Sequence, residues 1–195
     1  METKVITLQL DYFSGDSKFT VYPVVLKSKD DTILVDCGLS NSLDLLESEL
    51  KKHDISLEDL TGLYLTHEDH NHMGNAFELK NRYPKIQIIA SAAEQESLSI
   101  EVDAKVFDFD VLNTMFDCRI LSTKGHTPGH TSLYLPKQKT LILGDAAVIE
   151  NDELVLGNPQ YCLDLEEAKK SLEMLKKLEV ETYICYHRGV FNKNK

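Results

Sequence analysis

Short apolar runs bounded by Gly, Pro, Asp or Ser recur along the chain, and this pattern predicts β-strands. Two β-rich runs, KVITLQLDYF and KFTVYPVVLKS, flank the turn sequence SGDS and predict a hairpin. Further strands are predicted in DTILVDCGLS, which reaches Asp36, and in GLYLT, KIQIIAS, TSLYLP, TLILGDA and TYICYHRGV, whose apolar run ends at His187. One or two more are expected between Ile100 and Thr123, where apolar and polar residues alternate.

Apolar residues at helical spacing predict helices between these strands. SNSLDLLESELKKH carries Leu43, Leu46 and Leu50 on one face behind a polar start, and MGNAFELKNRY is expected to end before Pro84. AAEQESL is expected to form a short helix. In LDLEEAKKSLEMLKKLE, Asp164 is the predicted N-cap, and the apolar face consists of Leu165, Ala168, Leu172, Leu175 and Leu178. Strands and helices alternate, which indicates a mixed α/β class.

Composition adds a size and a charge to this picture. A chain of 195 residues is enough for one sizeable core, so residues 1–195 are expected to form a single domain. The net charge of -11, without a basic patch, disfavours a nucleic-acid partner. We find neither the apolar region of a secretory signal nor a run near the roughly 20 apolar residues of a transmembrane helix. Four scattered cysteines without a CxxC pair complete the expectation of a cytoplasmic protein with reduced core thiols and no membrane partner.

Metal-capable side chains follow four of the predicted strands. They lie in YLTHEDHNH, LSTKGHTPGH, LILGDA and ICYH, which together hold every histidine except His53. Loops at one edge of a sheet can converge on a point, and strand ends anchor them rigidly. Imidazole nitrogens and carboxylate oxygens bind divalent first-row metals at neutral pH. The sequence therefore predicts a metal site assembled from distant segments, with His53 on the surface.

In this order, the motifs resemble those of the metallo-β-lactamase superfamily. THEDHNHMGN, GHTPGHTSLYL, LILGDA and YICYHRG follow TILVDCG, so the resemblance extends from Thr32 to Gly189, nearly the whole chain. The resemblance implies a four-layer αβ/βα sandwich, in which two β-sheets pack face to face, helices cover the outer sides and metals lie at one edge.

The resemblance also implies a role for each polar residue of the motifs. One metal would be bound by His67, Asp69, His130 and Asp145. A second metal would be bound by position 71, His72 and His187, with Asp145 bridging the two ions. Asp36 would support the ligands from behind. The expected catalytic residues are Asp145, Asn71 and His72.

The first motif departs at two positions from the family's usual His-x-His-x-Asp-His. Asp69 replaces the second histidine, and a carboxylate there shifts the metal preference towards iron or manganese. Asn71 replaces the aspartate, and because a neutral amide is a poor zinc ligand, the second site is expected to be weak or empty. The expected cofactor is zinc, as one or two ions, with iron or manganese as alternatives.

Four nearby residues have open or peripheral roles. His70 either turns inward as a substitute ligand or lies outward in solvent, with the outward orientation favoured. His126 is expected at the rim or in a structural role, and Glu68 is expected to point away from the metals. Tyr161 is either a substrate contact or a packing residue.

The functional hypothesis is a metal-dependent hydrolase in which a metal-activated hydroxide attacks an ester, lactone or thioester. These bonds need less leaving-group assistance than amides, which suits a site that has Asn71 in place of aspartate. One alternative keeps the fold and uses a single iron to oxidise a thiol or persulfide. Another is a metal-binding protein without turnover. The expected partner is a small-molecule substrate, and the sequence indicates no oligomeric state.

Overall fold

The computed structural model describes residues 3–113 and 115–193, and it contains two six-stranded β-sheets. The first sheet consists, in spatial order, of β1 (Lys4–Thr7), β4 (Val24–Lys27), β5 (Thr32–Val35), β6 (Gly62–Leu65), β7 (Gln87–Ser91) and β8 (Ala104–Val106). Strands β5 to β8 are parallel, so β5, β6 and β7 end at the same edge of the sheet. Asp36, Thr66 and Ala92 directly follow these three ends.

The second sheet consists, in spatial order, of β16 (Gly189–Asn192), β15 (Thr182–Cys185), β12 (Thr140–Ile142), β11 (Thr131–Leu135), β10 (Cys118–Ser122) and β9 (Val111–Asn113). Strands β12 and β15 are parallel neighbours, so the residues that follow them, Leu143 and Tyr186, lie at one edge. Two hairpins lie outside the sheets: β2 (Leu10–Ser14) with β3 (Ser17–Val21), and β13 (Val148–Glu150) with β14 (Glu153–Val155).

Three apolar clusters show that the sheets pack face to face between helices. One cluster lies between the sheets and joins Tyr64 of the first to Ile184 of the second. Another packs the outer face of the first sheet against α1 (Leu43–Lys51) and α3 (Ala76–Arg82). The third packs the outer face of the second sheet against α4 (Leu165–Leu175). The predicted four-layer αβ/βα class is therefore confirmed.

Burial of both sheet faces explains why many strands have continuous rather than alternating apolar runs. In β5, Ile33 and Val35 belong to the cluster between the sheets, whereas Leu34 belongs to the outer cluster. In β12, Ile142 packs between the sheets and Leu141 packs outward. A shift of one residue would exchange these two environments, so the packing fixes the register of each strand and the position of the loop that follows it.

The predicted helix faces and the cap agree with the structure, except at Leu165 and at Leu178, which lies beyond the end of α4 at Leu175. In α1, Leu43, Leu46 and Leu50 are buried. Asp164 caps α4, because its side chain accepts two backbone N–H groups of the first turn, both at 3.0 Å. Leu165 was expected on the apolar face but is 37% exposed, since it opens the helix ahead of the turn that packs on the sheet.

The predicted N-terminal hairpin is confirmed, although each of its two runs divides into two strands. β1 pairs with β4 inside the first sheet, whereas β2 pairs with β3 in a separate hairpin around Gly15. The chain leaves the sheet between Thr7 and Leu10, and the backbone N–H of Leu8 bonds the carbonyl of Pro23 at 2.8 Å where it does so. The outer hairpin is thereby free to extend over the edge where the polar residues gather.

Three predictions of secondary structure were wrong. AAEQESL forms turns rather than a helix, and it contains the buried side chain of Glu94. The segment from Ile100 to Thr123 contributes three strands, β8, β9 and β10, where one or two were expected. The final strand β16 was missed, because GVFN is short and follows β15 after a tight turn at Arg188.

Two observations bear on the predicted environment of the protein. No helix in the described ranges is long and apolar enough to cross a membrane. All four cysteines are free; Cys37, Cys118 and Cys185 are buried as expected, while Cys162 is partly exposed. The single-domain organisation and the cytoplasmic location stay predictions.

Candidate metal centre

Asp36 orients one imidazole of the site from below. It follows β5 with a left-handed backbone (φ 58°), and Oδ1 accepts the Thr66 backbone N–H at 2.9 Å. Its Oδ2 lies 2.8 Å from both the Thr66 hydroxyl and His72 Nδ1. Because a carboxylate only accepts, His72 Nδ1 carries a hydrogen, and Nε2 is directed to the opposite side of the ring. This arrangement agrees with the supporting role expected for Asp36.

The same hydrogen-bond chain orients His67. The Thr66 hydroxyl donates to Asp36, so it accepts from His67 Nδ1 at 3.0 Å. Nε2 of the fully buried His67 therefore keeps a free lone pair. Burial and the neighbouring His72 lower the pKa of His67 to about 4, so the ring is neutral at neutral pH. A neutral imidazole with an unused nitrogen is suited to metal binding.

A first cluster of potential ligands consists of His67, Asp69, His126 and Asp145, with one ligand atom of each lying within 4.8 Å of the others. Asp69 Oδ2 is 3.1 Å from His126 Nε2 and 3.5 Å from His67 Nε2. The hydrogen bond from His126 is the main cause that holds the pKa of Asp69 well below its usual range, so its carboxylate is ionised. Two imidazoles and two carboxylates suit zinc, iron or manganese.

A second cluster consists of His72, Asp145 and His187. Asp145 Oδ1 is 3.4 Å from His72 Nε2, and Oδ2 is 3.3 Å from His187 Nε2. Burial raises the pKa of Asp145, but His72 and His187 outweigh this effect and hold it well below its usual range. Asn71 borders this cluster, with Nδ2 at 3.3 Å from His187 Nε2. Asp145 therefore belongs to both clusters, and its bridging of two cations stays a prediction.

Unpaired polar atoms show that these clusters fit a cation. Within the described ranges, four buried side-chain atoms have no hydrogen-bond partner: His67 Nε2, His72 Nε2, Asp145 Oδ1 and Gln138 Oε1. Three of the four face the clusters. An unpaired polar atom in the interior costs about 1–3 kcal/mol, so such atoms rarely gather in one place without a ligand. A divalent cation would satisfy all three at once.

His130 was expected to be a ligand, but its hydrogen bonds exclude this role in the structure. Nε2 accepts the backbone N–H of Asp145 at 3.0 Å, so Nδ1 carries the hydrogen and donates to Thr123 Oγ1 at 2.8 Å. Neither nitrogen has a free lone pair. Gly144 permits this contact, because it has a left-handed backbone (φ 54°) and a Cβ there would lie 2.7 Å from His130 Nε2. His130 thus holds the Asp145 loop rather than a cation.

His126 occupies the position that was expected for His130. The motif GHTPGH offers two histidines four residues apart, and the choice between them depends on how the loop turns. The loop packs against α4: a Cβ on Gly125 would lie 2.3 Å from the Ala168 nitrogen, and the His126 carbonyl accepts the Leu163 N–H at 3.2 Å. These contacts direct His126 into the first cluster instead of the rim.

The remaining residues of the first motif separate into inward and outward positions. His70 is exposed, and its Nε2 lies 2.7 Å from Ser40 Oγ, so it takes the outward orientation that was favoured. Asn71 stays beside the second cluster, where its backbone carbonyl accepts the Tyr186 hydroxyl at 2.6 Å. Tyr186 also stacks on His72, with ring centroids 3.7 Å apart. These contacts fix the short helix α2 (His70–Met73), which carries both Asn71 and His72.

Glu94 was not identified from the sequence, yet it connects the two loops that carry the first cluster. Its side chain is fully buried. Oε1 accepts the backbone N–H of Glu68, between His67 and Asp69, and Oε2 accepts the Thr127 hydroxyl, next to His126, both at 3.0 Å. Burial raises its pKa, and hydrogen bonds from these groups oppose that rise. No motif marks Glu94, because it lies in the turn segment that resembled a helix.

A cavity of about 820 Å³ opens beside the two clusters. It is lined by Phe19, His126, Asp145, Val148, Glu150, Val155, Leu156, Gly157, Asn158, Pro159, Tyr161, Cys162, Leu172, His187 and Arg188. Phe19 belongs to the β2–β3 hairpin, and its ring centroid lies 5.5 Å from that of His187. Tyr161 is 68% exposed on the wall, a position compatible with the substrate contact considered above.

Two face-to-face sheets with imidazoles and carboxylates gathered at one edge define an αβ/βα sandwich with a candidate metal centre. The family model of the metallo-beta-lactamase superfamily matches residues 17–187. The chain belongs to this superfamily. Solved structures agree on the fold: a metallo-beta-lactamase family protein from Thermus thermophilus has a TM-score of 0.77 at 20% identity, covering 96% of this chain and 74% of that one. A metallo-beta-lactamase from Pontibacter korlensis has a TM-score of 0.78 at 16% identity, covering 100% and 92%.

Proteins that are similar to this chain in sequence are named hydroxyacylglutathione hydrolase. The protein of that name from Bartonella henselae is 31% identical over 158 residues, which are 80% of this chain and 57% of the relative. The one from Synechococcus sp. is 27% identical over 136 residues, which are 69% of this chain and 52% of the relative. The chain thus spans little more than half the length of these curated relatives.

Proposed function

We propose that this protein is a metal-dependent hydrolase of ester-type bonds, with thioesters as the first class to test. The observation that carries the proposal is the convergence of three unpaired buried atoms, of His67, His72 and Asp145, beside an open cavity. Thioesters come first because the relatives are named as hydrolases of an acylglutathione. Esters and lactones have the same acyl chemistry, and a small-molecule substrate fits the size of the cavity.

The first cluster is the better cation site. It would hold a cation through His67, Asp69, His126 and Asp145, with His126 in place of the expected His130. The second would use His72, His187 and Asp145, with Asn71 as a weak neighbour. Zinc is the first candidate for both sites, and the Asp69 carboxylate makes iron or manganese the alternatives.

The cation would supply Lewis-acid polarisation of a carbonyl oxygen and acidification of a water molecule. The protein supplies orientation. Asp145 is ionised between the clusters and can accept a hydrogen bond from water, while Asp36 fixes the ring of His72. Asn71 holds His187 at the cavity side of the second cluster. Asp145, His72 and Asn71 are therefore our proposed catalytic residues.

The test combines metal analysis with a substrate panel. Freshly purified protein is analysed for bound metals, loaded with zinc, iron or manganese, and assayed with a thioester, an ester, a lactone and a phosphodiester. We expect His126→Ala to lose the first cation and to lower thioester turnover by at least about 100-fold. His70→Ala is the matched control from the outward side of the same site, and it should retain both properties. Equal turnover by His126→Ala and the parent protein would refute the proposal.

A redox function is the second candidate, and the observation that favours it is Asp69. A site with two imidazoles and two carboxylates is harder than a site of imidazoles alone, and harder ligands favour iron or manganese over softer metals. The candidate predicts one iron per chain and oxygen consumption with a thiol or persulfide. Two zinc ions with thioester hydrolysis, and no oxygen consumption in the iron-loaded protein, would exclude it.

A further inference from the structure

The cavity beside the clusters has walls formed mainly by apolar side chains. Phe19 comes from the outer hairpin, Val148 and Val155 from the β13–β14 hairpin, and Leu172 from α4. Leu156 extends the same wall towards the loop that carries Tyr161. Because these residues belong to separate elements, the wall surrounds a volume instead of forming a flat patch. Apolar walls with a few polar groups at one end are typical of small-molecule sites.

The charged groups of the lining are unfavourable for an anionic substrate. Among the described residues that line the cavity, Arg188 is the one side chain with a permanent positive charge. Its Nη2 already lies 3.2 Å from Glu150 Oε1, and both side chains are more than half exposed. Asp145 and Glu150 add negative charge to the lining. A carboxylate at the far end of the substrate, away from the clusters, would therefore lose water without gaining a free cationic side chain.

We propose that the cavity binds an uncharged, apolar group attached to the scissile bond, so that the substrates are neutral aliphatic or aryl thioesters or esters. This inference rests on the proposed function and narrows it to one substrate class. A cation held by the clusters would polarise the reacting carbonyl at the polar end, while the apolar walls bind the acyl substituent. A substituent that carries carboxylates is selected against, because the walls offer it no free cationic side chain.

The first measurement uses turnover. Metal-loaded protein is assayed with N-acetylcysteamine thioesters of acetyl, butyryl and hexanoyl groups, and with the succinyl thioester, which ends in a carboxylate. We expect kcat/KM to rise about fourfold for each methylene that the walls accommodate. We expect the succinyl thioester to react on the order of 100-fold more slowly than the butyryl thioester, because its charge is desolvated without a partner.

The second measurement uses binding and does not depend on turnover. Non-hydrolysable ketone analogues of the same acyl series are titrated into the metal-loaded protein by calorimetry. Their affinities should follow the same order of chain length. Val155→Asp should abolish this dependence, whereas Val111→Asp, on the distant strand β9, should keep it. Val111 is a fair control because it is also a strand valine and is 47% exposed.

The two measurements separate the possible failures. Affinities that rise with chain length, without hydrolysis of any thioester, would refute the proposed function and leave the apolar binding site intact. Three outcomes would overturn the inference, whatever the turnover: no binding of the analogues, affinities that do not change with chain length, or binding of the succinyl analogue as tight as that of the butyryl analogue. A Val155→Asp variant that behaves like Val111→Asp would also overturn it, because the wall would then not contact the acyl group.

Discussion

Replacing Glu94 by Gln should loosen the cation site without unfolding the protein. Glu94 joins the loop after β6 to the loop after β10, because its two oxygens accept from Glu68 and Thr127 at 3.0 Å each. The glutamine has the same shape but a single acceptor oxygen. If the amide oxygen faces Glu68, the NH2 group faces the Thr127 hydroxyl, which must turn to accept from it; if the oxygen faces Thr127, the Glu68 N–H loses its acceptor. In both orientations the donors lose a charged acceptor.

The magnitude follows from the lost charge and from the residues next to the donors. A hydrogen bond to a charged acceptor contributes about 1.5–3 kcal/mol and one to a neutral acceptor about 0.5–1.5 kcal/mol, and the melting temperature should fall by about 2–4 °C for each kcal/mol lost in a chain of this size. Residues that orient metal ligands through hydrogen bonds typically change metal affinity by about 10- to 100-fold. We expect a loss of that size, because Glu68 lies between His67 and Asp69, and Thr127 follows His126.

The assay is a cobalt titration of Glu94→Gln, read by calorimetry and by the visible spectrum of the bound ion. Asn113→Ala is the matched control for stability. Asn113 is also buried, and its side-chain oxygen accepts the Met115 N–H at 2.9 Å, but it pairs with Cys118 at the far end of β10 from the site. Both variants should melt earlier, and Glu94→Gln alone should bind cobalt more weakly with a changed spectrum. An unchanged affinity and spectrum would show that Glu94 serves the fold and does not position the ligands.

Three further predictions follow from the same geometry. Asn71→Asp should strengthen binding of a second cation by at least about tenfold in a zinc titration, because it adds a charged ligand beside His187; unchanged affinity would contradict this. Burial lowers the pKa of His72, but Asp145 and Asp36 outweigh it and raise the pKa to about 10, so the metal-free ring is protonated at pH 8. Cation uptake at pH 8 should then release about one proton from His72, measured by calorimetry in buffers of different ionisation enthalpy, and apparent affinity should fall as pH falls; release of no proton would show that the ring is neutral before binding. His126→Ala should lose the first cation, whereas His130→Gln should retain that cation and melt at a lower temperature. The reverse result would support His130, and not His126, as the metal ligand.

The sequence predicted the fold well because local patterns of apolar residues indicate which strands and helix faces are buried. Continuous apolar runs such as Thr32–Val35 indicate strands buried on both faces, and the leucine spacing of α1 indicates one buried helix face. The errors occur where a local sequence pattern is compatible with two different secondary structures. AAEQESL contains good helix formers, but a helix would remove Glu94 from the two loops that it joins. The tertiary hydrogen bonds of Glu94 therefore determine the conformation of that segment.

The candidate site was predicted in outline because its motifs follow strand ends, and strand ends converge. Six residues were expected to bind cations, and the structure brings together His67, Asp69, His72, Asp145 and His187 but excludes His130. The motif GHTPGH could not show that His126, and not His130, belongs to the first cluster, because each histidine lies between a glycine and a threonine. The difference is made by α4, which packs on Gly125, and by the Asp145 N–H, which occupies His130.

The change at position 71 makes the site asymmetric in charge while preserving its shape. Asn71 keeps a contact of 3.3 Å with His187, so the second cluster retains its geometry. The first cluster, however, contains two carboxylates, and the second contains only the shared Asp145. Attraction between a cation and its ligands grows with ligand charge, and most strongly where water is excluded. The first cluster should therefore bind a cation first. Because the charge of Asp145 is then shared with that cation, a second cation would depend mainly on the imidazoles of His72 and His187 and on the Asn71 amide.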